Sequence, residues 1–498
     1  MNNLLFLTLI NLICFSTSDE EDKLIFLYTH FRHGARAPQK VNASFYDMLG
    51  QKWTNPGELT GMGQRMHYLL GLRNRIKYIK ERKFLNETYD PHEILIYSSD
   101  YNRTIISAAS QLQGMYPIKD EVGLAITEEQ EKLSVPQVNI DYEEIKKERE
   151  NLGLNALPQL MTLIPIKLIN NNERKIKVYD YPDCLDEKNK IKEENYKNVP
   201  ELKQFVEDFN NKYGERINNY FGTKSEKYDI TFIYNLCDCY LSDYADKRNL
   251  SDFQSKNINL DEFNDYCLEY IKRNFLYHYF GDEEKILARV GSSKLMEESI
   301  IYMKNRVDAD IKGEDIDSKY TDYSRPKMVM ISAHDSTSSS DIVFLLYALG
   351  YNVNERYRFP KFANQLALEV CRKNDGKEKR SYSDYFVKAY FNDDLMFNVS
   401  FDEYIEKIQA KTWSEEQIDE YCGIEDNIII INNSTNGTTK NKGKDNAKTA
   451  YKVLMSVFIV TTAILLATTI FLAYKISQLK RIDNSSVNSI NTTTGNIK

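Results

Sequence analysis

Histidine is scarce in this chain, six in 498 residues. No histidine and no second cysteine pair stands at zinc spacing from Cys237-Asp238-Cys239, so a metal centre there is the minor reading. Positive charge is short as well: 65 lysines and arginines face 73 acidic residues, for a formal net charge of -8 and a pI near 5.6. A nucleic-acid partner needs an extended basic face, which this balance does not supply. Anions must therefore be bound by a local cluster. No internal repeat stands out.

Long apolar runs are few and lie at the ends. Leu4 to Phe15 is too short to span a bilayer, which takes ~20 residues. It is followed by Ser16-Thr17-Ser18 and the acidic cluster Asp19 to Asp22, the order of a signal peptide over 1–18, although no Lys or Arg precedes it. Val453 to Tyr474 holds no charged residue. At ~1.5 Å per residue a helix of that length crosses a ~30 Å hydrocarbon core, so 453–474 reads as a single C-terminal transmembrane helix. Lysines flank it on both sides, and the signal peptide decides the orientation: a single-pass type I membrane protein, its body on the extracellular face or in the lumen of the endomembrane or lysosomal system. The polar stretch 431–452 reads as a stalk and 475–498 as a cytoplasmic tail.

Of seven cysteines, Cys14 leaves with the signal. Cys184, Cys237, Cys239, Cys267, Cys371 and Cys422 remain, an even set that favours disulfides in an oxidising compartment. Sequons at Asn42, Asn86, Asn102, Asn249, Asn398, Asn432, Asn433 and Asn436 agree with that location, with several of them expected to be glycosylated.

Leu24 to Tyr28, Ile94 to Tyr97 and Met328 to Ser332 are short apolar runs, the pattern of strands buried on both faces. Helical segments lie between them, at 61–79 and 103–116. The expected fold is α/β, a mostly parallel-sheet core over 19–430 with a helical insertion subdomain at about 119–285, where charge, Tyr and Asn are dense and short buried strands are missing.

Directly after the first strand stands Arg32-His33-Gly34-Ala35-Arg36-Ala37-Pro38, two guanidinium groups flanking an imidazole. Arginine presents a planar fork that matches phosphate oxygens, and a neutral imidazole attacks phosphorus without a base to deprotonate it. The carboxyl end of a buried strand is where open α/β sheets place ligands. After the second strand Ser98 to Thr104 brings Arg103; after the third come His334 and Asp335. A basic surface loop with a chance histidine would not explain three such strand ends.

These segments resemble the signatures of the histidine acid phosphatases. Leu59-Thr60 with Gly61, Gly63 and Gln64 is similar to the family's helix start, and Pro360 to Ala363 followed by Leu368-Glu369 is similar to a further family run. The likeness extends from about Leu24 to Cys422. It implies an acid phosphatase that hydrolyses phosphomonoesters, with His33 as the nucleophile that becomes phosphohistidine. Arg32, Arg36, Arg103 and His334 would bind the phosphoryl oxygens, Asp335 would be the general acid, and neither metal nor cofactor would be needed. The expected partners are a small phosphomonoester and the membrane, with a homodimer left open. By the same resemblance Cys184, after Tyr181-Pro182-Asp183, would pair with Cys422. Tyr97 and Ser99 depart from the family's pattern, which touches only the pocket rim on this reading. A glycan on Asn102 would obstruct the site, so that sequon is expected to be unmodified. Two alternatives stand beside this reading: a narrower phosphatase for inositol phosphates or lysophosphatidic acid, and an inactive phosphatase-fold ectodomain that acts in binding.

Overall fold

The computed structural model describes residues 22–423, except 40–52, 54, 118–124, 135, 137, 139–141, 170–183 and 315–324. The signal segment, the stalk, the transmembrane run and the tail lie outside the described residues. Among the described residues no helix is long and apolar enough to cross a membrane.

Among the described residues seven strands form one sheet: β1 (Lys23–Arg32), β2 (Ile94–Ser99), β3 (Lys167–Ile169), β4 (Met328–Ala333), β5 (Gln365–Arg372), β6 (Tyr385–Phe391) and β7 (Asp394–Ser400), in the order β3-β2-β4-β1-β5-β6-β7. β4 is buried throughout, and β1 is buried at every residue but its first, so the near-continuous apolar runs of these strands suit the middle of the sheet. The pairings β1–β4, β2–β4 and β2–β3 are parallel, while β1–β5, β5–β6 and β6–β7 are antiparallel. The sheet is therefore mixed, not mostly parallel. β6 escapes a search for buried runs because it alternates buried and half-buried residues. It also needs no crossover helix: Asn392 and Asp393 alone join β6 to β7, with Asn392 at φ 56°.

One face of the sheet packs Leu27 and Phe31 against Ala108, Leu112 and Met115, which belong to α2 (Asn102–Met115), itself paired with α1 (Gly61–Asn74). The other face packs against a second set of helices. Leu185–Asn198, Pro200–Phe221, α3 (Ile230–Ala245) and α4 (Leu260–Arg273) precede α5 (Ile286–Lys312), and α6 (Asp335–Ala348) follows β4. Two features differ from the expected insertion. β3 falls inside 119–285 and extends the sheet beside β2, and the inserted helices share one continuous hydrophobic core with the sheet, from Ile25 and Tyr28 to Phe209, Tyr240 and Phe263. β3 is only three residues long with two of them exposed, too little apolar periodicity to read as a strand.

Cys184 is bonded to Cys422 and Cys237 to Cys267. Cys239 and Cys371 are free and buried, so the even set of six yields two bonds and two thiols. Burial pushes the thiol of Cys371 up to about 11 and that of Cys239 further still, which leaves both unreactive. The Cys237 bond also takes that sulfur out of any metal reading, and the described residues hold no metal-ligand cluster. The Cys184–Cys422 bond closes a loop of 238 residues, for which unfolded-chain entropy gives a stabilisation of up to roughly 5 kcal/mol. Cys184→Ser/Cys422→Ser should accordingly unfold at clearly lower denaturant concentration than the wild type. An unchanged midpoint would show that the bond adds nothing.

Candidate active site

The carboxyl ends of β1, β2 and β4 lie side by side, with Arg32 opposite Ala333 and Ser98 opposite Ser332. This register brings three separate segments together. The His33 amide donates to Ala333 O at 3.0 Å, and the Gly34 amide to Ser107 Oγ on α2 at 3.1 Å. Thr60, which caps α1 by accepting from the Gly63 amide, also donates to Ala35 O at 3.0 Å. The loop and α1 approach so closely that a Cβ on Gly34 would stand 2.4 Å from Gly63 O. Glycine is required on both sides of that contact, which is the physical reason for the Thr60-x-x-Gly63 pattern.

His33 is 1% exposed. Its Nδ1 lies 2.9 Å from Gly34 O; a carbonyl only accepts, so Nδ1 carries the proton and Nε2 presents its lone pair. Burial, and then the charges of Arg32 and Arg36, hold this imidazole well below its ordinary pKa. It stays neutral into acid. Around it, Arg32 donates from Nη1 to Pro360 O at 2.9 Å and pairs through Nη2 with Asp335 at 2.9 Å. The Arg32 guanidinium lies 4.4 Å from the Phe362 ring centre and 5.6 Å from that of Phe359. Arg103 reaches His334 Nδ1 at 3.4 Å and stacks on Tyr101 at 4.5 Å; burial, reinforced by Arg36, brings its guanidinium down to about 10. Arg32, Arg36 and Arg103 each keep a buried Nε–H with no hydrogen-bond partner. Orphaned donors of this kind are costly in a folded interior, and three arginines carry them around one imidazole. α2 and α6 also begin here, so the positive ends of two helices open onto the same place.

The structure thus brings together His33, Arg32, Arg36, Arg103, His334 and Asp335. His334 has both ring nitrogens engaged: because Arg103 can only donate, Nδ1 accepts, and Nε2 donates to Ser99 Oγ at 3.0 Å. Ser99, assigned by sequence to the rim, is the hydroxyl that holds this ring. Three further residues went unrecognised. Asp238 forms a two-pronged ion pair with Arg36, His67 donates from Nε2 to Arg32 O at 3.1 Å, and Phe359 stacks on Arg32. Nothing in their neighbourhood marks them, since each acts across more than 30 residues of sequence. The Asn102 amide nitrogen, where a glycan would attach, donates to Glu58 at 3.2 Å.

A buried, singly protonated imidazole ringed by unpartnered guanidinium donors, at the carboxyl edge of an α/β sheet, is an arrangement suited to an anion. The family model of the histidine phosphatase superfamily (branch 2) matches residues 23–392. The chain belongs to that family. Bovine prostatic acid phosphatase is 23% identical over 385 residues, 75% of this chain and 79% of the relative. A putative acid phosphatase of Caenorhabditis elegans is 36% identical over 126 residues, and lysosomal acid phosphatase of Xenopus laevis 38% over 97. These two matches take in 24% and 19% of this chain and span only 28% and 21% of the relatives' own length. Among solved structures, the phytase from Citrobacter braakii superposes with a TM-score of 0.51 at 14% identity, covering 81% of this chain and all of that one. That likeness is one of fold.

Proposed function

We propose that this chain is an acid phosphatase that hydrolyses phosphomonoesters through a phosphohistidine at His33. The observation that carries the reading is the convergence of three unpartnered buried Nε–H donors, on Arg32, Arg36 and Arg103, around the free Nε2 of His33. Phosphoryl transfer asks little covalent work of a protein, so a pre-formed cationic clamp supplies most of the stabilisation. His33 Nε2 attacks phosphorus as the bond to the ester oxygen breaks, and Asp335 gives its proton to the departing alkoxide. Water then attacks the phosphohistidine, Asp335 takes the proton back, and phosphate leaves with His33 restored.

Arg32 is shared between Asp335 and the stack on Phe362, so a phosphate that draws the guanidinium over also loosens its hold on the carboxyl. Direct contact of His334 with a phosphoryl oxygen requires that ring to give up either Arg103 or Ser99; otherwise it serves by steering Arg103. The body of the protein is assigned to an oxidising compartment, supported by its two disulfides, and anchored by 453–474. The test is phosphate release by the purified full-length protein from a panel of alkyl, sugar, aryl, inositol and lysophospholipid phosphates at several pH values. Turnover across the panel in acid is expected. Confinement to one class would favour the narrower phosphatase, and no release from any of them the inactive ectodomain.

A further inference from the structure

Arg36 is gripped by a group that its own loop does not provide. Its Nη2 lies 2.8 Å from Asp238 Oδ1 and its Nη1 3.3 Å from Asp238 Oδ2, with the arginine side chain 3% exposed and the carboxylate 12%. Nη1 also donates to Ala37 O at 3.0 Å. The second carboxylate oxygen receives the Gln39 amide at 3.1 Å, so Asp238 holds the loop on both sides of Pro38. Asp238 stands on α3 next to Cys237, whose bond to Cys267 ties α3 to α4. With both Nη atoms engaged, Nε is the donor of Arg36 left unpartnered. A guanidinium is planar, so pinning its two Nη atoms fixes the plane and the direction of the Nε–H.

We infer that Asp238 is a positioning residue of the phosphoryl site: it orients Arg36 so that Nε–H faces the group bound at His33, and the Cys237–Cys267 bond seats α3 for that purpose. The inference rests on the reading of Arg36 as a phosphate ligand. It assigns a catalytic consequence to a helix of the inserted region, about 200 residues away from the loop in sequence. A purely structural ion pair would also be lost with destabilisation, because removal of one partner leaves a buried charge uncompensated. The two roles separate in the kinetics.

Full-length wild type, Asp238→Asn, Asp238→Glu, Arg36→Ala and the Arg36→Ala/Asp238→Asn double variant are compared in kcat, KM and Ki for inorganic phosphate, with thermal midpoints alongside. Misplacement of a ligand by about 1 Å costs on the order of 100-fold. Asp238→Asn should lower kcat by about 10- to 100-fold and raise the phosphate Ki, with a smaller change in KM. Asp238→Glu, which keeps the charge, should recover part of the loss. In the Arg36→Ala background Asp238→Asn should cost almost nothing more, because the two act as one unit. Wild-type kcat and Ki in Asp238→Asn, whatever its midpoint, would overturn the inference alone, as would an undiminished loss in the Arg36→Ala background. Wild-type turnover by Arg36→Ala would bring down the reading of Arg36 as a ligand and this inference with it. Should Asp238→Asn not fold, the same comparison is read from Asp238→Glu.

Discussion

His33→Ala is expected to fold and to release no phosphate above background, a loss of at least about 10⁴-fold. The fold should survive because the loop is tethered by backbone: the His33 amide to Ala333 O at 3.0 Å, and the Ala363 amide to His33 O at 3.2 Å. Neither contact needs the imidazole. The chemistry should not survive, since the attacking lone pair on Nε2 is removed with the ring. Trapping the intermediate supplies a direct check. Wild-type protein mixed briefly with labelled substrate and quenched in alkaline denaturant, which spares the acid-labile P–N bond, should carry label on His33, and His33→Ala should carry none. Label on another residue, or turnover by His33→Ala near the wild-type rate, would remove His33 from its role.

The second large effect concerns Asp335 and shows in the substrate rather than in the fold. An alkyl or sugar phosphate leaves as a strongly basic alkoxide that needs a proton, whereas p-nitrophenolate leaves with little help. Asp335→Asn should therefore cost about 10²- to 10⁴-fold in kcat/KM on a sugar phosphate, the usual range for general acid catalysis, and less than about 10-fold on p-nitrophenyl phosphate. The pH profile follows from His33. Its imidazole is held well below the ordinary value, first by burial and then by Arg32 and Arg36. The attacking form is the neutral one, present above the folded-state pKa and lost only below it. A depressed pKa thus moves the acid limb of activity to lower pH than a free imidazole near ~6.5 would allow. For wild type on alkyl phosphates kcat/KM is expected to persist well below pH ~6.5, and a loss of activity centred at or above that value would count against a neutral, buried His33. Equal losses on the two substrates would show that Asp335 is not the acid.

Local sequence determined the parts of this protein whose physics is local. Strands β1, β2 and β4 are short apolar runs that end one to four residues before His33, Arg103 and His334, so the runs alone located them and placed these residues at their carboxyl ends. The family resemblance marked Thr60 and Gly63 at the start of α1, and the structure supplies the reason, since a cap and a close backbone approach each demand a particular residue type. Tertiary structure decided what depends on partners distant along the chain. Cys184 finds Cys422 across 238 residues, and no spacing within the sequence distinguishes the cysteines that pair from Cys239 and Cys371, which do not. His30, three residues before His33, has its Nδ1 2.6 Å from Asp341 on α6, with both side chains fully buried, a pairing that no neighbour in sequence marks. Asp238 reads in sequence as part of a Cys-Asp-Cys triplet and becomes the partner of Arg36 only when α3 packs over the loop. The antiparallel half of the sheet is of the same kind, since which edge a hairpin joins is settled by the surface left uncovered when the other elements have packed. Periodicity reports the face a residue presents; the group that meets that face is set by the whole chain at once.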